Sequence, residues 1–231
     1  MQRRTWMQHG VATLAGMAVL GAPRAKAAGF METEAAAGVR AALERGALVA
    51  VAQLGQTDGF LGNPKLRIPL PGFLKGAGKI LMYVGQQGRV DELEIAMNRA
   101  AEAAMPRART LLVEAVRSIS VEDAQQLIRD GDDAVTRFFS AKTREPLKVS
   151  LLPVVTEATK KVSLADKYNE VAGKAAGMGL VEKEAANIED YVTSKALDGL
   201  YAMMAEQERN IRKDPVGTGS AILKQVFGTL K

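Results

Sequence analysis

Side chains that commonly act as nucleophiles or metal ligands are scarce in this chain. Its 231 residues include no cysteine and a single histidine, His9. That histidine and the single tryptophan, Trp6, both lie in an N-terminal segment with the features of a cleavable leader. Because thiol and imidazole groups carry most zinc, haem and hydrolytic chemistry, the sequence predicts neither a cofactor nor a metal site. An enzyme that relies on paired carboxylates alone, as glycosidases do, stays open as an alternative.

The most distinctive polar segment is the run at residues 58–71, DGFLGNPKLRIPLP. Its two glycines expose backbone amides and two cations follow directly, which suits an anionic group or the backbone of a partner. The candidate binding residues in this run are Asp58, Phe60, Asn63, Lys65 and Arg67. The alternative is structural: the Gly and Asn-Pro residues turn the chain while Phe60 and Leu61 fill a gap in the core. We favour the structural interpretation because the loop contains no reactive group.

Asn98 and Arg99 form a second candidate binding pair, within a predicted helix. Glu94 lies one turn before Asn98 and Glu102 one turn after it, so the four side chains can form an internal polar network. The interpretation we favour is a solvated helix surface, because charged residues are rarely buried.

Two further polar pairs are candidate binding residues. Asp132 and Asp133, in the run Asp130-Gly131-Asp132-Asp133, suggest calcium, but a calcium loop of about 12 residues that starts at Asp130 would close on a glutamate where this chain has Ala141. Capping of the next helix explains the two aspartates better, because carboxylates at a helix N-terminus accept bonds from its free amides. Lys195 and Asp198 lie three residues apart, and we expect a structural salt bridge between them.

Residues 1–27 have the features of a cleavable export signal. Arg3 and Arg4 charge its start, an apolar stretch spans residues 11–22, and Ala-Lys-Ala at 25–27 is a cleavage pattern of small residues. We expect cleavage after Ala27 and residence in the periplasm. The apolar stretch is shorter than the roughly 20 residues that cross a membrane, so we expect no stable membrane anchor. The paired arginines partly match a twin-arginine signal, and both export routes stay open.

Charge argues against a nucleic-acid partner. The whole chain carries a formal net charge of +5, from 31 basic and 26 acidic residues. Four of the basic residues and none of the acidic ones lie at positions 1–27, so the remaining chain is close to neutral. Nucleic-acid binding needs a concentrated basic surface, which this composition does not predict.

The spacing of apolar residues and of helix-ending residues predicts an all-α protein. We expect a multi-helix bundle with kinked helices, forming a single helical domain over residues 28–231. The predicted helices span residues 33–54, 73–84, 91–118, 121–129, 143–161, 163–179, 188–212 and 221–227, with a further helix that carries Val135, Phe138 and Phe139. Pro106 must kink or divide the third of these near Ala104. Capping boxes at residues 120–123 and 163–166 mark two helix starts.

Residues 55–72 are predicted to form one short extended arm rich in Pro and Gly. Leu66, Ile68 and Leu70 alternate with polar residues or proline, which is typical of an extended chain with one buried face. Pro69 and Pro71 cannot donate to a sheet, so the arm should lie along the helical body or form a sheet edge.

Five blocks of the sequence resemble a family of exported bacterial all-helical proteins known only as a domain of unknown function. They are DGFLGNPKLRIPLP (58–71), ELEIAMNRAAEAAMPRA (92–108), GDDAVTRFF (131–139), KYNEVAGKA (167–175) and DYVTSKALDGLYAMMAEQERNIRKDP (190–215). The resemblance implies an all-helical protein of the bacterial envelope, and it carries no activity over to this chain.

Two kinds of binding protein follow from these observations. The one we favour is a non-enzymatic module that engages an envelope protein through the loop at 58–71 or a helical groove. The alternative is a carrier of a lipid or another apolar ligand, because adaptable methionine side chains can line a pocket. The residues that would line it are Met82, Met97, Met105, Met178, Met203, Met204, Phe138, Phe139 and Tyr201.

Overall fold

The computed structural model describes residues 22–72, 87–131, 133–179, 182 and 185–213. Within these ranges the chain is helical, with no strand. Its helices are α1 (Ala22–Leu54), α2 (Gln87–Ala104), α3 (Ala108–Arg117), α4 (Val121–Arg129), α5 (Ala134–Thr159), α6 (Ser163–Gly177) and α7 (Ile188–Lys213). The all-α prediction is confirmed, whereas the helices predicted at 73–84 and 221–227 lie outside the described residues.

Helix α5 is the centre of the bundle. It packs most extensively against α7 and α2, and it also contacts α3. Helix α1 covers another side of the bundle, where it lies against α3, α4 and α7. Phe139, Leu147 and Leu151 of α5 are fully buried where these layers meet. The short helix α6 packs more lightly, against α2 and α7.

One continuous helix replaces the two that we predicted around residues 135–161. Helix α5 runs through both Pro146 and Pro153. Both prolines lie on its exposed face, where water can solvate the carbonyl groups that lose their helical partners. Its buried face keeps an unbroken spacing of four residues from Phe139 to Val155, and packing of that face stabilises the helix.

The predicted break at Pro106 is confirmed. Helix α2 ends at Ala104, a 3₁₀ turn spans Met105–Arg107, and α3 begins at Ala108. Met105 is fully buried, so the turn holds the two helices together through the core.

One predicted capping box is present and the other is not. Before α4, Ser120 Oγ accepts from the Asp123 amide at 3.0 Å, and the Asp123 carboxylate accepts from the Ser120 amide at 3.1 Å. The box predicted at 163–166 is wrong, because Ser163 is already the first residue of α6 and Val162 is its N-cap. Val162 is buried, and burial of this apolar residue sets the helix start one position earlier.

The segment between α1 and α2 is less extended than predicted. It passes through consecutive turns up to residue 66, and only residues 67–71 are extended. Ile68 is buried and Leu66 and Leu70 are partly buried, so the alternation that we predicted is confirmed. The segment lies along the helical body.

In the part of the chain that the structure describes, no helix combines the length and the apolar character that a membrane crossing needs. Helix α1 begins at Ala22 and therefore passes through the expected cleavage point after Ala27. Cleavage itself is a processing event, and it stays a prediction.

Candidate functional site

A buried carboxylate on α2 binds the loop at residues 55–71, hereafter the docking loop. Glu102 on α2 is only 4% exposed. Its Oε1 accepts from the backbone amides of Phe60 and Leu61, at 3.1 and 3.0 Å. Its Oε2 accepts from Arg99 Nη1 at 2.6 Å. A buried carboxylate needs such partners, and here it satisfies two backbone amides of the docking loop.

Asn98, one turn before Glu102, holds the extended end of the docking loop. It is fully buried. Its Oδ1 accepts from the Ile68 amide at 2.8 Å, and its Nδ2 donates to the Ile68 carbonyl at 3.0 Å. The same nitrogen donates to the Glu94 carbonyl at 2.8 Å. An amide side chain is suited to this position because it offers an acceptor and two donors.

Two ion pairs join the same face of α2 to the outside of the docking loop. Arg99 Nη2 lies 2.8 Å from Asp58 Oδ1, and Arg67 Nε lies 2.8 Å from Glu94 Oε1. The hydrogen bond to Glu102 raises the pKa of Arg99 most, and the hydrogen bond to Asp58 raises it further. All four side chains retain contact with water, so these pairs orient the loop more than they stabilise it.

The internal network at Asn98 and Arg99 is therefore present, and our preference for a solvated helix surface was wrong for Asn98. The reason lies in the docking loop, whose backbone amides and carbonyls need buried partners. The spacing Glu94, Asn98, Glu102 contained the signal, since three polar residues at four-residue intervals form one face of a helix.

Phe60 anchors the docking loop to α7, as the structural interpretation predicted. Its ring is fully buried and lies against Gly199. A Cβ atom built at Gly199 would be 2.6 Å from Phe60 Cε1, so glycine makes room for the ring. Leu61 is only partly buried. The loop is closely packed at its base as well, because a Cβ at Gly59 would meet the Gln53 carbonyl oxygen at 2.5 Å.

A second buried carboxylate, Glu208 on α7, holds the start of α5. Its two oxygens accept from the Val135 and Thr136 amides at 3.2 and 3.1 Å. Thr136 Oγ1 donates to it as well, at 3.0 Å, and Arg212 pairs with it at 3.0 Å. Glu208 therefore does for α5 what a capping side chain does, although it comes from another helix.

This arrangement corrects the prediction that Asp133 caps α5 through its side chain. Asp133 occupies the N-cap position with a positive φ of 64°, and its side chain makes no capping bond. Its Oδ1 instead accepts from Arg209 Nη1 at 2.8 Å. Glu208 already accepts from the Val135 and Thr136 amides in the first turn of the helix. Asp132 lies outside the described residues.

A third buried carboxylate, Glu189, joins three helices. It accepts from Thr159 Oγ1 at the end of α5, at 3.2 Å, and from Asn169 Nδ2 on α6, at 2.9 Å. Asn169 Oδ1 in turn accepts from the Ile188 amide at the start of α7. Sequence reasoning missed Glu189 and Glu208. Each lies one helical turn from a buried residue of α7, Thr193 and Met204 respectively, and that spacing was the available signal.

The salt bridge that we predicted between Lys195 and Asp198 is present, at 3.3 Å. Asp198 also pairs with Arg144 of α5, at 2.7 Å. All three groups are partly exposed. This pair lies on the surface of α7 and belongs to a structural cluster with α5.

The methionine and phenylalanine residues proposed to line a pocket do not share one environment. Met97, Met105 and Phe139 are fully buried in the continuous core, whereas Met178 is 68% exposed. Met82 lies outside the described residues. Among the residues that the structure describes, no group of three potential ligands from His, Cys, Asp or Glu forms a metal site.

A groove lies between the docking loop and the C-terminal half of α7. Asn63 and Lys65 line one wall, and Glu206, Arg209 and Lys213 line the other. The candidate residues therefore separate into three groups. Asp58, Arg67, Asn98 and Arg99 fix the loop, Phe60 is core, and Asn63 and Lys65 face the groove.

Comparison with known proteins adds the family. A family model described as "Protein of unknown function (DUF4197)" matches residues 29–228. The chain belongs to the DUF4197 family. This confirms the resemblance to a domain of unknown function. No curated protein and no solved structure matches the chain. The match covers the docking loop and every helix from α2 to α7, so the docking loop and the groove both belong to the DUF4197 domain.

Proposed function

We propose that this DUF4197 protein is a non-enzymatic interaction module of the bacterial envelope, which presents the docking loop to a partner protein. The observation that carries this proposal is the attachment of the loop backbone to Asn98 and Glu102. Two buried side chains fix the loop by its amides, so its exposed residues form a preset surface. A preset surface loses little conformational entropy on binding, which favours recognition.

The use of the polar side chains supports a binding role over catalysis. Glu102, Glu189 and Glu208 are the buried carboxylates of the described chain, and each accepts hydrogen bonds from protein donors. A general acid or base must reach a substrate proton, which carboxylates committed to helix starts and loop amides are poorly placed to do.

Residence in the envelope rests on the leader features at 1–27, which suit an exported chain. The packing of Met97, Met105 and Phe139 in the core favours a protein partner over a carried apolar molecule. The partner is therefore expected to be a protein that shares the periplasm.

Site-specific photocross-linking in intact cells tests this proposal. A photoreactive amino acid at Lys65, in the docking loop, should give one discrete cross-linked protein. The same amino acid at Met178, which is also exposed and lies at the end of α6, should not give it. Once identified, that protein should bind the purified chain directly.

Two variants separate recognition from folding. Glu102→Ala removes the acceptor of the Phe60 and Leu61 amides, and should abolish binding of the identified partner while circular dichroism shows the helices intact. Glu114→Ala removes an exposed carboxylate on α3 and should leave binding unchanged. Identical cross-linking at Lys65 and Met178 would refute the proposal. So would substrate turnover by the purified protein that a single carboxylate substitution abolishes.

A further inference from the structure

The groove beside the docking loop is lined largely by polar and charged side chains. It is open, has a volume of about 360 Å³, and separates the loop from the last three turns of α7. Three cations line it, Lys65, Arg209 and Lys213, against the single carboxylate of Glu206. Lys65 and Arg209 are 144 positions apart in the sequence, so only the folded chain brings these charges together.

The cations of the groove have N–H groups that can donate hydrogen bonds to a ligand. Lys65 and Lys213 are exposed, and neither ammonium forms an ion pair with another residue that the structure describes. Arg209 uses Nη1 for Asp133, which fixes the guanidinium at the edge of the groove. Asn63 Oδ1 accepts from the Lys65 amide at 3.0 Å, and this turn holds Lys65 at the rim.

The spacing of the cations matches an extended chain. Arg209 and Lys213 are four residues apart on α7, so they lie about 6 Å apart on one face. In an extended peptide, alternate side chains point to the same side and lie about 6.6 Å apart. An extended segment in this groove can therefore place two successive carboxylates of one face opposite Arg209 and Lys213. Its other face is then available to Lys65.

We propose that this groove binds an extended acidic segment of a partner protein, with carboxylates at alternate positions. The proposal rests on the function proposed above and names the chemistry of the partner. A compact dianion such as phosphate fits less well, because Glu206 and the negative end of the α7 dipole oppose concentrated negative charge. An extended segment spreads its charge and can place a polar residue opposite Glu206.

Fluorescence anisotropy with defined peptides tests the partner chemistry. The probe is a fluorescein-labelled peptide of eight residues that alternates Glu and Ser, and the control peptide alternates Lys and Ser. The purified chain should bind the acidic peptide and not the basic one, and added salt should weaken binding because the groove is exposed.

Matched double variants locate the binding. Lys65→Ala with Lys213→Ala should weaken binding of the acidic peptide about five- to tenfold. Lys160→Ala with Lys167→Ala removes the same charge from exposed positions at the end of α5 and on α6, and should change binding less than twofold. Charge reversal with Lys65→Glu and Lys213→Glu should transfer binding to the basic peptide.

Three results would overturn the acidic-segment proposal. They are equal losses in the two alanine doubles, displacement of the peptide by millimolar inorganic phosphate, and preferential binding to vesicles that contain phosphatidylglycerol. If any of these occurs while Lys65 still cross-links one partner in cells, only the partner chemistry is wrong. If the cross-link fails as well, the proposed function is also wrong.

Discussion

Asn98 pairs with both backbone groups of Ile68, as a neighbouring strand would. Glu102 does the same for the amides of Phe60 and Leu61. At the scale of the residue, the site thus consists of side chains that replace missing backbone partners. Burial makes these contacts sensitive to small chemical changes, because an unmatched polar group in the interior loses its hydration without compensation.

The substitution Asn98→Asp tests this role with almost no change in volume. It replaces two donors with a carboxylate that would face the Ile68 and Glu94 carbonyls. We expect the free energy of unfolding to fall by about 2–4 kcal/mol, as measured by urea denaturation. Asn210→Ala, at an exposed position on α7, should have little effect. A change below 0.5 kcal/mol for Asn98→Asp would contradict the assigned hydrogen bonds.

Gly199→Ala tests the contact between α7 and the docking loop. The new methyl group would overlap the Phe60 ring, so we expect a loss of about 1–3 kcal/mol in urea denaturation. Gly173→Ala in α6 is the matched control, because its Cβ would meet open space. That change should raise stability by about 0.5–1 kcal/mol, since alanine favours a helix over glycine. Phe60→Leu should partly rescue Gly199→Ala in a double-mutant cycle, and additive effects would argue against the contact.

Tyr168 provides a pH dependence at the alkaline end. Burial raises its pKa to about 12, and its hydroxyl donates to the Ala185 carbonyl. Because the folded pKa lies above the ordinary value of 10, the stability linked to Tyr168 is fully present below pH 10. It is lost as the pH rises towards 12.

Tyrosinate absorbance of the native protein checks this expectation. One tyrosine should ionise only near pH 12, and Tyr168→Phe should remove that late step. If the late step survives in the variant, another tyrosine is responsible.

At the scale of the element, the sequence predicted what depends on local pattern. The helix at α7, the break at Pro106 and the capping box at Ser120 were correct because each signal lies within a few residues or repeats along a single helix. What was missed depends on partners distant in sequence. Glu208 reaches the amide of Thr136, 72 residues away, and its effect on the start of α5 has no local signature.

The continuity of α5 also depends on packing that a local sequence pattern does not show. Pro146 was expected in the first turn of a separate helix at 143–161 and Pro153 was expected to bend it, yet one helix with a single buried face runs past both. Pro146→Ala restores a donor on the exposed face of α5, so we expect the free energy of unfolding to rise by about 1–2 kcal/mol. Urea denaturation measures the change. Destabilisation would mean that the proline sets a bend that the core requires.

At the scale of the whole molecule, export of the chain is a prediction that does not depend on the helical fold. Export should produce a chain that begins at residue 28, which N-terminal sequencing of periplasmic protein checks. Replacing Arg3 and Arg4 with lysine should block export if the twin-arginine route is used, and should have little effect on the secretory route. Recovery of the full-length chain from the periplasm would contradict cleavage.

The position of α7 at the end of the described chain affects the order of events during synthesis. Gly199 receives Phe60, and Glu208 completes the start of α5, so both contacts form only after α7 has left the ribosome. Until then the nascent chain lacks Gly199, against which Phe60 packs, and it lacks the helix that covers one side of the core. The packing around Phe60 and at the start of α5 can therefore close only after most of the described chain has been made. If the chain is exported by the secretory route, that delay is the interval in which an unfolded polypeptide would enter the translocation channel.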